Sequence, residues 1–205
     1  MEIVLLSGER GSGKTTTLVR LADAARLAGL RPGGVLQPGV FDGDGEKTGS
    51  TWLDAASGAS GAFGSKLRAL DGPSWKDWSF SAAGLDAANR AVLDSLARAG
   101  HPVLVDEIGP LELRAGSGLS PSLRALEPAS RPGTDLASPA GTAPERPLVV
   151  VAVRTELAAE LADRLGAERV VVLDPACREA AFAELAALLA PGPAGPGRSG
   201  DPEAS

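Results

Sequence analysis

The feature that most restricts the fold is a glycine-rich octapeptide at residues 8–15, Gly-Glu-Arg-Gly-Ser-Gly-Lys-Thr. It fits the pattern Gly-x-x-x-x-Gly-Lys-Ser/Thr, in which glycines let the backbone turn tightly with no Cβ in the way of a bound group. An apolar run, residues 3–6, precedes it, and residues 14–30 after it carry apolar side chains at helical spacing. The order strand, loop, helix places unpaired N–H groups of a helix N-terminus beside the loop, where they attract a phosphate.

The residue types within the octapeptide indicate binding of a nucleotide rather than an ordinary tight turn. Lys14 is predicted to contact the β- and γ-phosphates, and the Thr15 hydroxyl is predicted to be a ligand of Mg²⁺. A glycine-rich turn between a strand and a helix is the alternative, but the Gly-Lys-Thr ending and the flanking elements disfavour it. The residues predicted to bind the nucleotide phosphates are Gly8, Glu9, Arg10, Gly11, Ser12, Gly13, Lys14, Thr15 and Thr16.

Strand-like and helix-like patterns alternate along the rest of the chain, which predicts an α/β fold with a mainly parallel sheet. Buried strands are predicted over residues 3–6, 102–106, 148–153 and 170–173, and shorter strands over 35–40 and 51–55. Helices are predicted over residues 14–30, 85–99 and 155–165, the last with Thr155 as N-cap, followed by a final helix with Asp174 as N-cap and Pro175 at its first position.

The length of 205 residues suits one domain, predicted over residues 1–190. Glycine and proline are concentrated in residues 115–147 and 191–205. Segments of this composition bury too little apolar surface to offset the entropy of ordering the chain. We therefore expect a long loop over the first segment and a disordered tail over the second.

Composition excludes several functional classes. The formal net charge of −6 argues against binding nucleic acid through the overall field of the protein. One cysteine allows no intrachain disulfide, and one cysteine with one histidine does not suit a zinc site of the usual ligand types. No apolar run is long enough to span a bilayer, and no basic segment precedes the first apolar stretch. We expect a soluble cytoplasmic protein with no membrane partner.

A second candidate motif follows the strand predicted at residues 102–106. Asp106 ends this strand, at the edge where parallel sheets bind ligands, and it fits the role of holding Mg²⁺. Glu107 comes next and can orient or deprotonate an attacking water, which makes Glu107 and Lys14 the predicted catalytic residues. A charged turn after a core strand is the alternative. The same residues also spell the Asp-x-x-Gly of GTP switch proteins, but the chain has no Asn-Lys-x-Asp motif for guanine.

Three segments together resemble the small P-loop nucleoside-triphosphatases, the family of the cancer-related nucleoside-triphosphatase and its thermophile relatives. They are GERGSGKTTTLVRLA at residues 8–22, GGVLQPGVFDGDGEKTG at 33–49 and PVLVDEIGPLEL at 102–113. The resemblance implies a RecA-like three-layer sandwich. It also implies Mg²⁺-dependent hydrolysis of ATP, GTP and other nucleoside triphosphates to diphosphate and phosphate, with broad base tolerance. By position, Asp106 serves the metal and Glu107 is the candidate base.

The sequence departs from the pattern of that family in three places. Pro110 stands where a basic residue is usual, residues 115–147 are long and proline-rich, and Val153-Arg154 stands where a His-Arg pair is expected. Arg154 ends a predicted core strand, so it could reach the phosphates and stabilise transition-state charge, or it could flank a helix on the surface. Arg114 has the same two interpretations.

Two further sets of side chains have a structural interpretation as the more frequent one. The tryptophans could stack a base, although such residues more often fill the core or cover a loop. His101, just before a strand, is predicted to face solvent and to take no part in catalysis. The tryptophans are Trp52, Trp75 and Trp78.

Two other functions remain open at this level. A nucleoside or nucleotide kinase has a similar size, but the arginine-rich lid typical of nucleotide kinases is not evident in residues 115–147. A slow nucleotide-gated ATP-binding module that serves a protein partner would carry the same phosphate loop. Release of phosphate without an acceptor separates hydrolysis from both.

Overall fold

The computed structural model describes residues 1–130 and 147–189, which form one mixed sheet with helices on its faces. The strands are β1 (Glu2–Ser7), β2 (Gly33–Leu36), β3 (Gly39–Phe41), β4 (Lys47–Asp54), β5 (Ser60–Ser65), β6 (Ser74–Trp75), β7 (Trp78–Phe80), β8 (Val103–Ile108), β9 (Leu148–Val153) and β10 (Arg169–Val172). The helices are α1 (Lys14–Leu27), α2 (Ala82–Ala97), α3 (Pro110–Leu113), α4 (Ser120–Leu126), α5 (Ala158–Leu165) and α6 (Arg178–Ala187).

The parallel part of the sheet has the strand order β10-β1-β9-β8-β2. Every neighbouring pair in this order is parallel, so all five strands end at the same edge. Strand β9 separates β1 from β8, and all six of its residues are buried, as expected for a strand covered on both faces. The edge formed by the ends of β1, β9 and β8 therefore carries the glycine-rich loop, Arg154 and the Asp106-Glu107 pair.

Two apolar layers cover the sheet because successive residues of a strand point to opposite faces. On β1, Ile3 and Leu5 join the cluster that includes residues of α2, α4 and α5. Val4 and Leu6 join the cluster that includes residues of α1 and α6. This arrangement confirms the predicted α/β sandwich with a mainly parallel central sheet. Within the described ranges, no helix has the length and apolar character needed to cross a membrane.

An antiparallel extension, consisting of β3 to β7, continues the sheet beyond β2. Its pairs are β2–β4, β3–β4, β4–β5, β5–β7 and β6–β7. The sequence patterns predicted two strands here, over 35–40 and 51–55, and missed β5, β6 and β7. These three strands are short and polar, and β5 contains two glycines and two serines, so they lack the apolar alternation that marks a strand.

The prediction of a loop over residues 115–147 is wrong for the part that the structure describes. Helix α4 lies within it, and the side chains of Leu123 and Leu126 are fully buried in the core. Pro121 is compatible with this helix because it lies in the first turn, where a backbone N–H has no intrahelical partner. Residues 131–146, and the tail predicted over 191–205, lie outside the described residues.

Three local predictions are also corrected. Thr155 begins a 3₁₀ turn before α5 and makes no side-chain cap. Asp174 does not cap a helix that begins at Pro175: its Oδ1 accepts from the Ala176 N–H at 2.8 Å, and α6 begins only at Arg178. His101 is buried, and its Nδ1 accepts the N–H of Leu148 at 3.1 Å, so it does not face solvent.

Gly34 marks the closest approach of β2 to β8, and it provides a test of this packing. Its φ is +92°, and a Cβ added there would lie 1.9 Å from the carbonyl oxygen of Leu104. We expect Gly34→Ala to lower the free energy of unfolding by about 2–4 kcal/mol, from left-handed backbone strain and overpacking together. Gly43→Ala is the matched control, because a Cβ at Gly43 meets nothing within 4 Å. Urea denaturation followed by circular dichroism measures both, and equal stability of the two variants would contradict this packing.

Candidate active site

The glycine-rich loop joins β1 to α1 at the edge where the parallel strands end. Gly11 and Gly13 have φ values of 78° and 103°, in the left-handed region that favours glycine. Gly13 is the N-cap of α1, and no side chain caps the N–H groups of the first turn. The loop therefore presents backbone donors and the positive end of the helix dipole to this edge, as expected of an anion site.

Lys14 lies at the start of α1 and is buried. Its Nζ donates to the carbonyl oxygens of Gly8 at 2.6 Å and Glu9 at 2.9 Å. Burial lowers the pKa of Lys14, and the negative charges of Glu107 and Asp106 oppose that shift. The ammonium group is thus held over the loop, within electrostatic reach of both acids.

Asp106 is the buried acid of the site, with an exposed fraction of 2%. One carboxylate oxygen accepts the N–H of Gln37, the residue after β2, at 3.0 Å. Burial raises the pKa of Asp106 to about 6, and the Gln37 N–H and the Thr15 hydroxyl act in the opposite direction. No described arginine or lysine forms an ion pair with this carboxylate, so its charge has no cationic partner in direct contact.

A carboxylate next to a threonine hydroxyl is a donor set that suits a hard divalent cation such as Mg²⁺. Within residues 1–130 and 147–189, no group of three or more His, Cys, Asp or Glu side chains is positioned to hold a metal. Asp106 and Thr15 would therefore hold such an ion only together with other oxygen ligands. Mg²⁺ commonly takes those ligands from substrate phosphates and water.

Glu107 faces the same edge and forms an ion pair with Arg154. The Nε of Arg154 donates to Oε1 of Glu107 at 2.9 Å, and the two side chains are 39% and 31% exposed. Arg154 is the first residue after β9, the strand between β1 and β8. Of its two interpretations, the structure favours the one in which Arg154 faces the site, whereas Arg114 forms an ion pair with Glu160.

The remaining predicted phosphate-binding residues differ in exposure. Glu9, Arg10 and Thr16 are exposed. The Ser12 hydroxyl is buried and, among the described residues, has no hydrogen-bond partner. An unsatisfied buried hydroxyl is unusual in a folded protein, and here it lies within the loop whose predicted ligand would bring phosphate oxygens.

Sequence reasoning missed two parts of the site. Gln37 contributes only its backbone N–H, which no side-chain pattern reveals. The second part is a cavity of about 320 Å³ beside the loop. It is lined by Gly8, Glu9, Arg10, Gly11, Ser12, Thr155, Val172, Leu173, Asp174 and Pro175. A signal for this wall existed, because the strand predicted at 170–173 ends at the same edge.

No tryptophan lines that cavity, so the structure does not favour base stacking on one there. Trp52 packs against the core, and Trp78 lies in the antiparallel extension. The ammonium groups of Lys47 and Lys66 lie 5.8 and 5.6 Å from the centre of the Trp78 ring.

A parallel sheet with a glycine-rich loop after β1 and a buried acid on β8, one strand removed, defines an α/β P-loop fold. A family model described as NTPase matches residues 3–126, and the chain belongs to this family. The chain is 34% identical over 128 residues to nucleoside-triphosphatase THEP1 of Thermofilum pendens, covering 60% of this chain and 66% of that protein. It is 32% identical over 117 residues to the protein of the same name from Methanothermobacter thermautotrophicus, covering 55% and 63%.

The chain thus spans just under two thirds of the length of these curated relatives. Two solved structures share the fold. THEP1 from the hyperthermophile Aquifex aeolicus superposes with a TM-score of 0.63 at 20% identity, over 92% of this chain and 99% of that chain. A human cancer-related nucleoside triphosphatase gives a TM-score of 0.61 at 19% identity, over 92% and 97%.

Glu112 fixes the segment that follows Glu107. Its carboxylate is buried and accepts the N–H of Gly109 at 2.9 Å, at the start of α3, and the N–H of Leu119 at 3.0 Å, just before α4. Burial raises the pKa of Glu112 from 4.5 to about 7, against the effect of these hydrogen bonds. The folded state therefore favours the protonated carboxyl more than the unfolded state does.

This shift predicts a pH dependence of stability. Between pH 4.5 and about 7 the unfolded chain loses the Glu112 proton and the folded chain keeps it, so the free energy of unfolding falls as the pH rises. We expect Glu112→Gln to remove a decrease on the order of 1–3 kcal/mol, at about 1.4 kcal/mol per pKa unit. Urea denaturation from pH 4.5 to 8 measures the slope, and an equal decrease in wild type and variant would contradict the assignment to Glu112.

Proposed function

We propose that the protein hydrolyses nucleoside 5′-triphosphates to the diphosphate and phosphate, in a Mg²⁺-dependent reaction with broad base tolerance. The observation that carries the proposal is the electrostatic coupling of Lys14 to Asp106 and Glu107 across the end of the sheet. Membership of the NTPase family and the name of the relatives, nucleoside-triphosphatase, agree with this class of reaction.

The loop and α1 bind the phosphates in this proposal. Backbone N–H groups of residues 8–16 surround the phosphate oxygens, and the helix dipole favours their negative charge. Lys14 now donates to two carbonyl oxygens of its own loop, and phosphate oxygens would replace these acceptors. Its ammonium group then offsets the negative charge that develops at the bond between the β- and γ-phosphates.

Asp106 and Thr15 are the residues that would hold Mg²⁺. A bound Mg²⁺ neutralises phosphate charge and fixes the geometry of the phosphate oxygens. The fit rests on the buried carboxylate of Asp106, whose burial leaves it without an arginine or lysine partner among the described residues. Gln37 fixes the orientation of that carboxylate through its N–H.

Glu107 is the proposed base. Its carboxylate accepts a proton from water while the water oxygen forms a bond to the γ-phosphorus. The bond from the γ-phosphorus to the β–γ bridging oxygen breaks, and its electron pair leaves with the nucleoside diphosphate. A half-buried carboxylate, 31% exposed, can both contact water and keep a fixed position.

The cavity beside the loop supports broad base tolerance. Val172, Leu173 and Pro175 give it an apolar wall, which makes contacts that any base can satisfy. The only acid of that wall after β10, Asp174, already accepts the Ala176 N–H through one oxygen. Strong discrimination between bases requires polar groups that pair with a particular base edge.

A phosphate-release assay with ATP, GTP, CTP and UTP tests the proposal. With Mg²⁺ and no acceptor, we expect release from all four, with values of kcat/KM within about tenfold of each other, and loss of release when Mg²⁺ is chelated. Turnover only in the presence of a nucleoside or nucleotide acceptor would identify a kinase instead. Tight binding with negligible turnover would identify a nucleotide-gated binding module.

Replacing Glu107 separates binding from chemistry. We expect Glu107→Gln to retain nucleotide affinity and to lower kcat by about 10²-fold or more, because the amide cannot take the proton of water. The control is Glu127→Gln, since Glu127 forms a similar ion pair with Arg164, Nε to Oε1 at 2.8 Å, outside the site. Wild-type turnover in Glu107→Gln would remove Glu107 from the mechanism.

Lys14→Ala tests the phosphate role of the loop. We expect weaker nucleotide binding and slower turnover together, because the lost ammonium group acts in both the bound and the transition state. Calorimetric titration with ADP and steady-state kinetics measure the two effects. Unchanged affinity for ADP and ATP would contradict the assignment.

A further inference from the structure

Arg154 occupies a position that no other described arginine shares. It is the first residue after β9, and β9 lies between the strand of the phosphate loop and the strand of Glu107. Val153, just before it, pairs in register with Ser7 of β1 and Ile108 of β8, and its carbonyl oxygen accepts the Gly8 N–H at 3.2 Å. The residue therefore has the first glycine of the loop on one side and Glu107 on the other.

The contacts of Arg154 leave part of its guanidinium available. Its Nε donates to Glu107, while Nη1 lies 4.0 Å from a carboxylate oxygen of Glu156, beyond hydrogen-bond distance. A guanidinium has five N–H donors, and only Nε is used in the Glu107 bond. Its side chain is 39% exposed, so the guanidinium faces the open cleft rather than the core.

The electrostatic surroundings place Arg154 within reach of the phosphate loop. The pKa of Lys14 is lowered mainly by burial, and the positive charge of Arg154 adds to that lowering against the two acids. Two cations that repel each other across a short distance, with acids behind them, form a strong site for an anion between them.

We propose that Arg154 binds the terminal phosphate of a bound nucleoside triphosphate and, by doing so, releases Glu107 from the ion pair seen in the nucleotide-free protein. This inference rests on the proposed function, because it assigns a γ-phosphate to the cleft. A γ-phosphate offers three oxygens and more negative charge than one carboxylate, so it competes for the guanidinium.

The exchange links the presence of the γ-phosphate to the freedom of Glu107. While Arg154 holds Glu107, the carboxylate oxygen that accepts from Nε is not available to a water. Once Arg154 has moved to the γ-phosphate, that oxygen can accept a proton from water. After hydrolysis the diphosphate lacks the terminal group, so Arg154 returns to Glu107. The two states predict that Arg154 distinguishes triphosphates from diphosphates.

Binding measurements on the full chain test this without turnover. Calorimetry with Mg²⁺ compares ADP with the non-hydrolysable adenosine 5′-(β,γ-imido)triphosphate. We expect Arg154→Ala to weaken binding of the triphosphate analogue about tenfold or more, and binding of ADP less than about twofold. Arg154→Lys should recover only part of the loss, because an ammonium group lacks the planar fork of donors.

Arg164→Ala is the matched control. Arg164 pairs with Glu127 through Nε at 2.8 Å, with side chains 36% and 28% exposed, so the pair resembles Arg154–Glu107 in geometry and exposure. We expect it to change neither affinity, and thermal unfolding of both alanine variants should be within a few degrees of the wild type. Equal weakening of ADP and of the analogue by Arg154→Ala would overturn the proposal.

A double-mutant cycle tests the exchange itself. Glu107→Gln should strengthen binding of the triphosphate analogue relative to ADP, because the neutral amide competes less for Arg154. In the Arg154→Ala background that gain should disappear. An equal gain in both backgrounds would come from the removed negative charge alone and would overturn the exchange. Absence of phosphate release by the wild type would instead overturn the proposed hydrolysis and leave these binding results to be judged separately.

Discussion

The buried carboxylate of Asp106 is where three separate parts of the chain meet. It lies on β8, it accepts the N–H of Gln37 after β2, and it adjoins the Thr15 hydroxyl at the start of α1. Removing a carboxylate from water is costly unless partners offset the loss, and two neutral donors offset only part of it. The remaining cost is what raises its pKa to about 6 and what makes a cation favourable there. A core residue thus defines the electrostatics of the surface cleft.

The other charges of the site are arranged by strand order rather than by sequence proximity. Lys14, Arg154 and Glu107 come from three different connections, and they meet because β1, β9 and β8 are adjacent, parallel and end together. Side chains carried on buried strands have little freedom to move as a group, which suits chemistry that depends on positioning. Half-exposed groups such as Arg154 and Glu107 keep the local freedom that a ligand can use.

The fold could be predicted where a pattern was strong and local. The apolar run before the glycine-rich loop and the run at 148–153 both form the expected strands, and the α/β class is confirmed. The short strands β5 to β7 could not be predicted, because their stability comes from pairing with neighbours and not from their own composition. For a similar reason α4 was missed: its buried leucines are visible only once α2 lies beside them.

The site was predictable as a group of residues at one sheet edge, but its contacts were not. The pairing of Glu107 with Arg154 depends on β9 lying between β1 and β8, and no local pattern determines strand order. The burial of His101 depends on the N–H of Leu148, 47 positions away, which needs an acceptor at that point. The roles assigned to Lys14, Asp106 and Glu107 stay predictions for the experiments above.

The bond between the Glu2 N–H and the Pro147 carbonyl oxygen, 3.0 Å long, fixes where the chain rejoins the sheet after α4. Pro147 lies at the start of β9, whereas the phosphate loop and Arg154 lie at its end, about 20 Å away along a six-residue strand. Chain added or removed just before Pro147 therefore enters the sheet at the edge remote from the cleft. This makes the junction a suitable position for an epitope, a fluorophore or a purification handle, and it explains how proteins with this site could differ in length there and keep the same chemistry.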